Sequence, residues 1–218
     1  VPVAGRDSYL AVGDYVGDAM LVYDWCYSTA SSGQRSRWLK YAEQAVWNVW
    51  HPDKAKWGGK TMKWNGWSID NPSNNYYYSF LRATMLLGLG AHGESGDSDW
   101  LSFVRDEKFL GQLVPTFDRD LQGGGSREGT GYGVSMHKLW ELYDLWHGST
   151  GEDLASQSGH ARASMLTFMH QIVPTLDRVA PTGDHSRDST AAMFDYHRNY
   201  LLELAHLFRD DALAPHAL

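Results

Sequence analysis

Three short stretches of this 218-residue chain gather side chains able to move protons and hold carboxylates. They are Asp70-Asn-Pro-Ser-Asn-Asn-Tyr76, Ser126-Arg-Glu-Gly-Thr-Gly-Tyr132 and Gly183-Asp-His-Ser-Arg-Asp188. Together they offer amides, guanidinium groups, an imidazole and two phenols. That set suits cleavage of a polyuronate by β-elimination. The reaction has three needs: the uronate carboxylate must be neutralised so that the neighbouring C5 proton becomes acidic, a base must take that proton, and an acid must protonate the departing glycosidic oxygen. Amides, Arg or protonated His meet the first need by hydrogen bonding the developing enediolate. A Tyr or His in reach serves as base, and a Tyr can be the acid. A phenol, with an ordinary pKa of about 10, needs a cationic neighbour to ionise readily.

On this reading Asn75 neutralises the uronate, with Asn74 beside it. Tyr132 is the acid or acid/base, and His185 is the base or a second neutraliser. Arg127 and Arg187 hold carboxylates, and Glu128 orients a partner or hydrogen bonds a sugar hydroxyl. The sequence does not separate base from neutraliser among His185, Asn75 and Tyr76. The run GGGSREGTGYG, from Gly123 to Gly133, carries six glycines. Glycine lets backbone approach a ligand closely and adopt conformations barred to other residues, so this loop is expected to admit a polymer.

The chain holds ten Trp, twelve Tyr and seven Phe. Trp57, Trp64 and Trp67 fall in a long loop, where an exposed ring can stack on the C–H face of a sugar. Trp64 and Trp67 are therefore candidate substrate contacts, against the alternative that loop aromatics cover helix ends.

Composition narrows the classes further. The formal net charge is −7, with no basic face of the kind a nucleic-acid binder needs. No apolar run has the length of a membrane span. Cys26 is the single cysteine, so an intrachain disulfide and a Cys-rich metal site are both excluded; lying in an apolar helical pattern, it is expected to be a packed core thiol. No HExxH, GxxxxGK[ST] or GxSxG occurs, which removes zinc protease, phosphate-loop and α/β-hydrolase readings. No cofactor or metal is called for. His137, His197 and His206 sit within helix patterns and read as structural, and His160 and His170 make no metal spacing.

Helical spacing dominates, and strand signals are weak. Helices are expected over Tyr9 to Tyr27, Gly33 to Trp50, Asn74 to Leu89, one or two within Asp97 to Asp118, Tyr132 to Trp146, Leu154 to Val173 and Thr190 to Arg209. His51-Pro52 should end the second and His147-Gly148 the helix after the Gly-rich loop. Ser73 is an N-cap candidate, and Thr150-Gly-Glu-Asp153 a capping box. The helix from Asn74 is apolar nearly all round, which marks burial on most sides. With hydrophobic residues at 43%, the chain can bury a real core as one domain over residues 1–218. The simplest architecture is all-α, with antiparallel helical hairpins forming a partial or incomplete (α/α) toroid whose long loops meet on one rim. The chain opens at Val1 with no Met, so a leader was removed or this is a piece of a longer multidomain protein.

YDWCY in the first helix, IDNPSNNYYYSF, and above all GGGSREGTGYG followed by a Trp/Leu-rich helix resemble the heparinase II/III-like and alginate-lyase-like polysaccharide lyases. The resemblance runs from about Leu21 to Asp188. It implies an (α/α) toroid, usually followed by β-sandwich domains, acting on uronic-acid polysaccharides, secreted or periplasmic. An Asn or Asn-His pair starts an inner helix in that family, and the matching place here reads Asn74-Asn75-Tyr76. The family's Glu matches Glu128, and its Tyr after the Glu-Gly pair matches Tyr132. Two features depart from it: Tyr76 stands where a His is often found, and a β-sandwich domain or second chain is absent. The implied partner is an acidic polysaccharide, with no nucleic acid or membrane. Two other classes compete. One is a glycoside hydrolase on a similar toroid, with carboxylates such as Asp70 and Glu128, or Glu128 and Asp184. The other is a non-catalytic helical domain that binds sugar through Trp64 or Trp67.

Overall fold

The structure is a computed structural model that describes residues 8–94, 99–130, 133–183, 192–193 and 195–218. It is mostly helical, as the spacing predicts, with a single two-residue-strand hairpin among the described residues. The helices are α1 (Ser8–Trp25), α2 (Ser32–Trp50), α3 (Asn75–Gly90), α4 (Trp100–Ser102), α5 (Val114–Asp120), α6 (Gly133–Thr150), α7 (His160–Gln171), α8 (Asp195–Leu207) and α9 (Ala214–Ala217). A π-helical run, Phe103–Leu113, joins α4 to α5 without a break. The strands β1 (Lys56–Trp57) and β2 (Lys60–Thr61) pair antiparallel inside the long loop. The chain divides into two compact units, one of residues up to Pro72 with Tyr76–Phe109, the other of Ser73–Asn75 with Leu110–Leu218.

The first unit is built on α1, α2 and α3. Val12, Val16, Met20 and Tyr23 of α1 are buried, as are Leu39, Ala42, Val46 and Val49 of α2. Every residue of α3 from Tyr77 to Leu87 is buried, including Arg82 and Thr84, so the all-round apolar pattern does mark an inner helix. Its polar members are satisfied locally. Ser79 Oγ accepts the Gly13 N–H at 2.9 Å, and Arg82 Nη1 donates to the Gly13 carbonyl at 2.7 Å and to Asp18 at 2.9 Å. A side chain at Gly13 would run into Ser79, so that glycine sets how closely α1 approaches α3. Ser31 caps α2 with a capping box closed by Gln34.

In the second unit α6 packs on α8, and α7 and α9 also pack on α8. Trp140 meets Tyr200 edge-on at 4.2 Å, and Phe168 meets Tyr200 at 5.5 Å. Phe117 stacks on the buried His160 ring at 3.7 Å.

Several boundaries differ from the spacing. α6 runs through His147-Gly148 to Thr150, because the left-handed stop is Gly151, φ 77°, whose N–H bonds the His147 carbonyl. Thr150 thus closes α6 instead of capping the next helix; its Oγ1 bonds the Trp146 carbonyl. A short 3-10 turn at Ala155–Gln157 intervenes, and α7 starts only at His160 and ends at Gln171. The last long helix, α8, starts at Asp195. Pro115 falls at the first turn of α5, directly after the π-helical run. α3 starts at Asn75. Cys26 is exposed, not a core thiol: it lies in the turn after α1, beyond the last buried position of that helix, Tyr23.

Candidate functional site

Glu128 is the hub. Its Oε1 accepts the Asn74 side-chain amide at 2.8 Å. Its Oε2 accepts both the backbone N–H of Asn75, at 2.6 Å, and the Asn75 side-chain amide, at 2.8 Å. Residues separated by 53 and 54 positions are so held by one carboxylate. The backbone bond falls on the first residue of α3, where a helix leaves N–H groups without internal partners and favours a negative group. The negative group at this helix start is the protein's own Glu128. Asn74 is 8% exposed and Asn75 4%, while Glu128 is half-buried. The Asn75 Oδ1 is buried and has no hydrogen-bond partner among the described residues. A buried polar atom left so is costly unless something donates to it.

The third loop reaches the second through backbone. Gly129 and Gly183 form an antiparallel bridge. The Thr130 N–H bonds the Thr182 carbonyl at 3.1 Å, and the Thr182 N–H returns to Thr130 Oγ1 at 3.2 Å. Here glycine is needed. Gly129 has φ 93°, and a side chain there would overlap the Thr182 carbonyl. The other end of the Gly-rich loop lies on α7. Gly124, φ 82°, sits directly on the backbone of Ser164; the Gly125 N–H bonds Ser164 Oγ at 2.9 Å; Thr167 Oγ1 donates to the Gly123 carbonyl. At Gly124 and Gly129, close approach therefore serves the protein's own backbone, and not a ligand as the sequence reading expects.

Two buried histidines hold this loop from beneath. His160 Nε2 donates to the Gly125 carbonyl at 2.8 Å, which leaves Nδ1 as a buried lone pair without a partner among the described residues. Burial pushes the His160 pKa down to about 4, against a smaller upward pull from the Gly125 bond, so the ring is neutral near pH 7. His197 Nε2 donates to the Thr130 carbonyl at 3.1 Å. His137 pairs with Glu203 at 2.9 Å, and His206 lies 3.6 Å from Asp144. Behind the loop a small cavity of about 30 Å³ is lined by Gly129, Thr130, Ser164, Thr182, Trp140 and Tyr200 among others, with room for one or two waters.

The candidate residues thus fall in three groups. Asn74, Asn75 and Glu128 come together in the second unit, and Arg127 is exposed next to Glu128 in the chain. Tyr132, His185 and Arg187 lie outside the described residues, as does Asp184. Their chain neighbours Thr130 and Gly183 belong to the two segments joined at the Gly129–Gly183 bridge. Tyr76, Trp64 and Trp67 belong to the first unit. Tyr76 is half-buried. Trp64 is buried, its ring edge-on to Phe80 and its indole N–H donated to the Asn48 carbonyl at 2.8 Å, so it is a core residue of that loop. Trp67 is 55% exposed and does present a ring to solvent. No group of acidic, His or Cys side chains among the described residues could hold a metal ion. No helix among them is long and apolar enough to cross a membrane.

Sequence reasoning missed Thr130, Thr182, Ser164 and His160. The paired Gly-Thr and Thr-Gly dipeptides at the bridge are the one local hint. Comparison of the chain with family models, curated proteins and solved structures finds no match.

Proposed function

We propose that this protein is a polysaccharide lyase that cleaves a uronic-acid-containing polymer by β-elimination, with its site built around the Asn74-Asn75 pair. The observation that carries the reading is the triple hydrogen bond from that pair to Glu128. It ties together the two stretches whose residue types suit elimination, and the Gly129–Gly183 bridge brings the start of the third stretch onto the second. Tyr132 serves as acid or acid/base, and His185 as base or second neutraliser. Arg127 and Arg187 attract the polymer's carboxylates. The helical elements, with α1 packed on α2 and α7 on α8, support hairpins of a partial (α/α) toroid as the frame.

The geometry refines two roles. Glu128 is a positioning residue: its oxygens are engaged by amide donors, which fixes how the pair is turned. One Asn75 side-chain N–H is spent on Glu128, which leaves its buried Oδ1 as the acceptor without a partner among the described residues. Neutralisation of the uronate then falls more on Arg127, Arg187 and His185. The same engagement of Glu128 weighs against a glycoside hydrolase, which would need this carboxyl to deliver a proton or hold a water.

The test is incubation with alginate, glucuronan, polygalacturonate and the glycosaminoglycans, following the ultraviolet absorbance of an unsaturated product. Turnover on one polymer that is abolished in Tyr132→Phe supports the assignment. Silence on all of them with an intact fold rejects it.

A further inference from the structure

A second cleft opens in the first unit, along the outer face of α2. Its walls are Lys40, Glu43, Gln44 and Trp47 of α2, Lys56 of β1 and Trp100 of α4, around a volume of about 790 Å³ that includes space open to solvent. The α2 residues recur at three- and four-residue spacing, so they share one face; the opposite face, with Leu39, Ala42, Val46 and Val49, is in the core. Lys56 is held in place through its backbone, which both donates to Asn48 Oδ1 at 2.9 Å and accepts from Asn48 Nδ2 at 2.8 Å. Gln44 Nε2 bonds the same Asn48 oxygen at 2.9 Å, which fixes the floor. Trp47 is half-buried, with one face stacked on His51 at a ring distance of 4.4 Å.

Two features separate this cleft from ordinary solvated surface. Lys40 and Lys56 both line it, and neither has an acidic partner within salt-bridge distance among the described residues. Glu43 is the one acid in the lining, so the wall carries a net positive charge. Trp100 is 6% exposed, and its indole N–H is buried with no acceptor among the described residues. Two ammonium groups without acid partners, two indole side chains and an amide favour an acceptor-rich anion carried on a ring. A carboxylated sugar has that chemistry: its C–H face lies against an indole, and its carboxylate and ring hydroxyls accept from Lys and N–H donors.

We propose that this cleft is a separate binding subsite for the carboxylate-bearing ring of an acidic saccharide. It extends the reading of the protein as acting on uronate polymers, but it concerns binding alone and would hold if no bond were cleaved.

The experiment is zero-length carbodiimide coupling of uronate tetramers (mannuronate, guluronate, galacturonate and glucuronate) to the full chain, with the linked lysines located by mass spectrometry. Lys54, Lys60 and Lys63 are also exposed, lie in the adjoining loop and serve as controls. The expected result is coupling concentrated at Lys40 and Lys56 with at least one tetramer, and none with its carboxyl-reduced form. In parallel, the double variant Lys40→Gln/Lys56→Gln should bind that tetramer about tenfold more weakly in calorimetric titration, with unchanged circular dichroism. Coupling spread evenly over all five lysines, no coupling with any tetramer, or full affinity in the folded double variant would overturn the proposal. Turnover is scored separately: cleavage without coupling at Lys40 and Lys56 rejects the subsite and spares the lyase reading, and coupling without cleavage does the reverse.

Discussion

Replacing Glu128 by Ala removes the single acceptor of three amide donors, held at 2.6 to 2.8 Å. Each hydrogen bond to a carboxylate contributes about 1.5–3 kcal/mol in a protein setting. The three share one acceptor and do not add in full, and Glu128 is half-buried, so water recovers part of the loss. The expected destabilisation is about 3 kcal/mol, a large share of a typical total of about 5–15 kcal/mol. Urea unfolding followed by tryptophan fluorescence measures it, with the slope required to stay constant so that the midpoint shift reports stability. Glu128→Gln keeps the shape but turns one acceptor oxygen into a donor facing donors, so it should lose about 2 kcal/mol despite being nearly isosteric. A double-mutant cycle with Asn75→Ala should give a coupling of about 1–2 kcal/mol. If Glu128→Ala unfolds within about 1 kcal/mol of the parent at the same slope, the carboxylate does not organise the amide pair, and the reasoning for the site fails.

Three further outcomes follow from other parts of the fold. Gly129→Ala puts a Cβ into the Thr182 carbonyl at φ 93° and should break the bridge to Gly183, destabilising by about 2–4 kcal/mol in the same urea assay, whereas Gly148→Ala, with open space around it, should be neutral or slightly stabilising. His160 has its pKa lowered from 6.5 to about 4 in the fold, so the unfolded chain binds more protons between those values; stability is full above about pH 6.5 and should fall by about 3 kcal/mol as pH drops to about 4, a slope that His160→Gln should flatten in pH-dependent unfolding. Trp64→Ala should lose about 3–5 kcal/mol as a core truncation, while Trp67→Ala should unfold as the parent does, and any loss of sugar binding in it would then be a loss of contact alone.

What the sequence made legible follows from how local each signal is. The run from Asn74 to Leu89 is apolar all round, and helix α3 is buried all round, because periodicity and burial are set by the same geometry. The spacing starts α2 at Gly33, one residue after Ser32, and the Ser31–Gln34 capping box that opens the helix is a local signal the spacing does not use. The stop of α6 was displaced to Gly151 because two glycines near a helix end look alike in sequence, and only the backbone decides which one turns left-handed. The convergence of Asn74-Asn75 with Glu128 is suggested by residue types, but its form is not. Nothing in SREGTGY says that Glu128 faces the amides instead of a ligand, since that depends on contacts more than 50 residues apart. Trp64 and Trp67 show the same limit: three positions apart in one loop, one is core and the other exposed, because a single hydrogen bond to Asn48 and the ring of Phe80 draw in the first. Gly124 and Gly129 use the freedom that GGGSREGTGYG offers, but what they approach is the backbone at Ser164 and Thr182.

The central claim is that bonds in a uronate polymer break by elimination and not by water. Turnover in heavy-oxygen water, with products weighed by mass spectrometry, tests it most directly. The account predicts that each cleavage leaves one new non-reducing end lighter by one water than the hydrolysis product and takes up no heavy oxygen. One heavy oxygen gained per bond cleaved, with no lighter end, would contradict it.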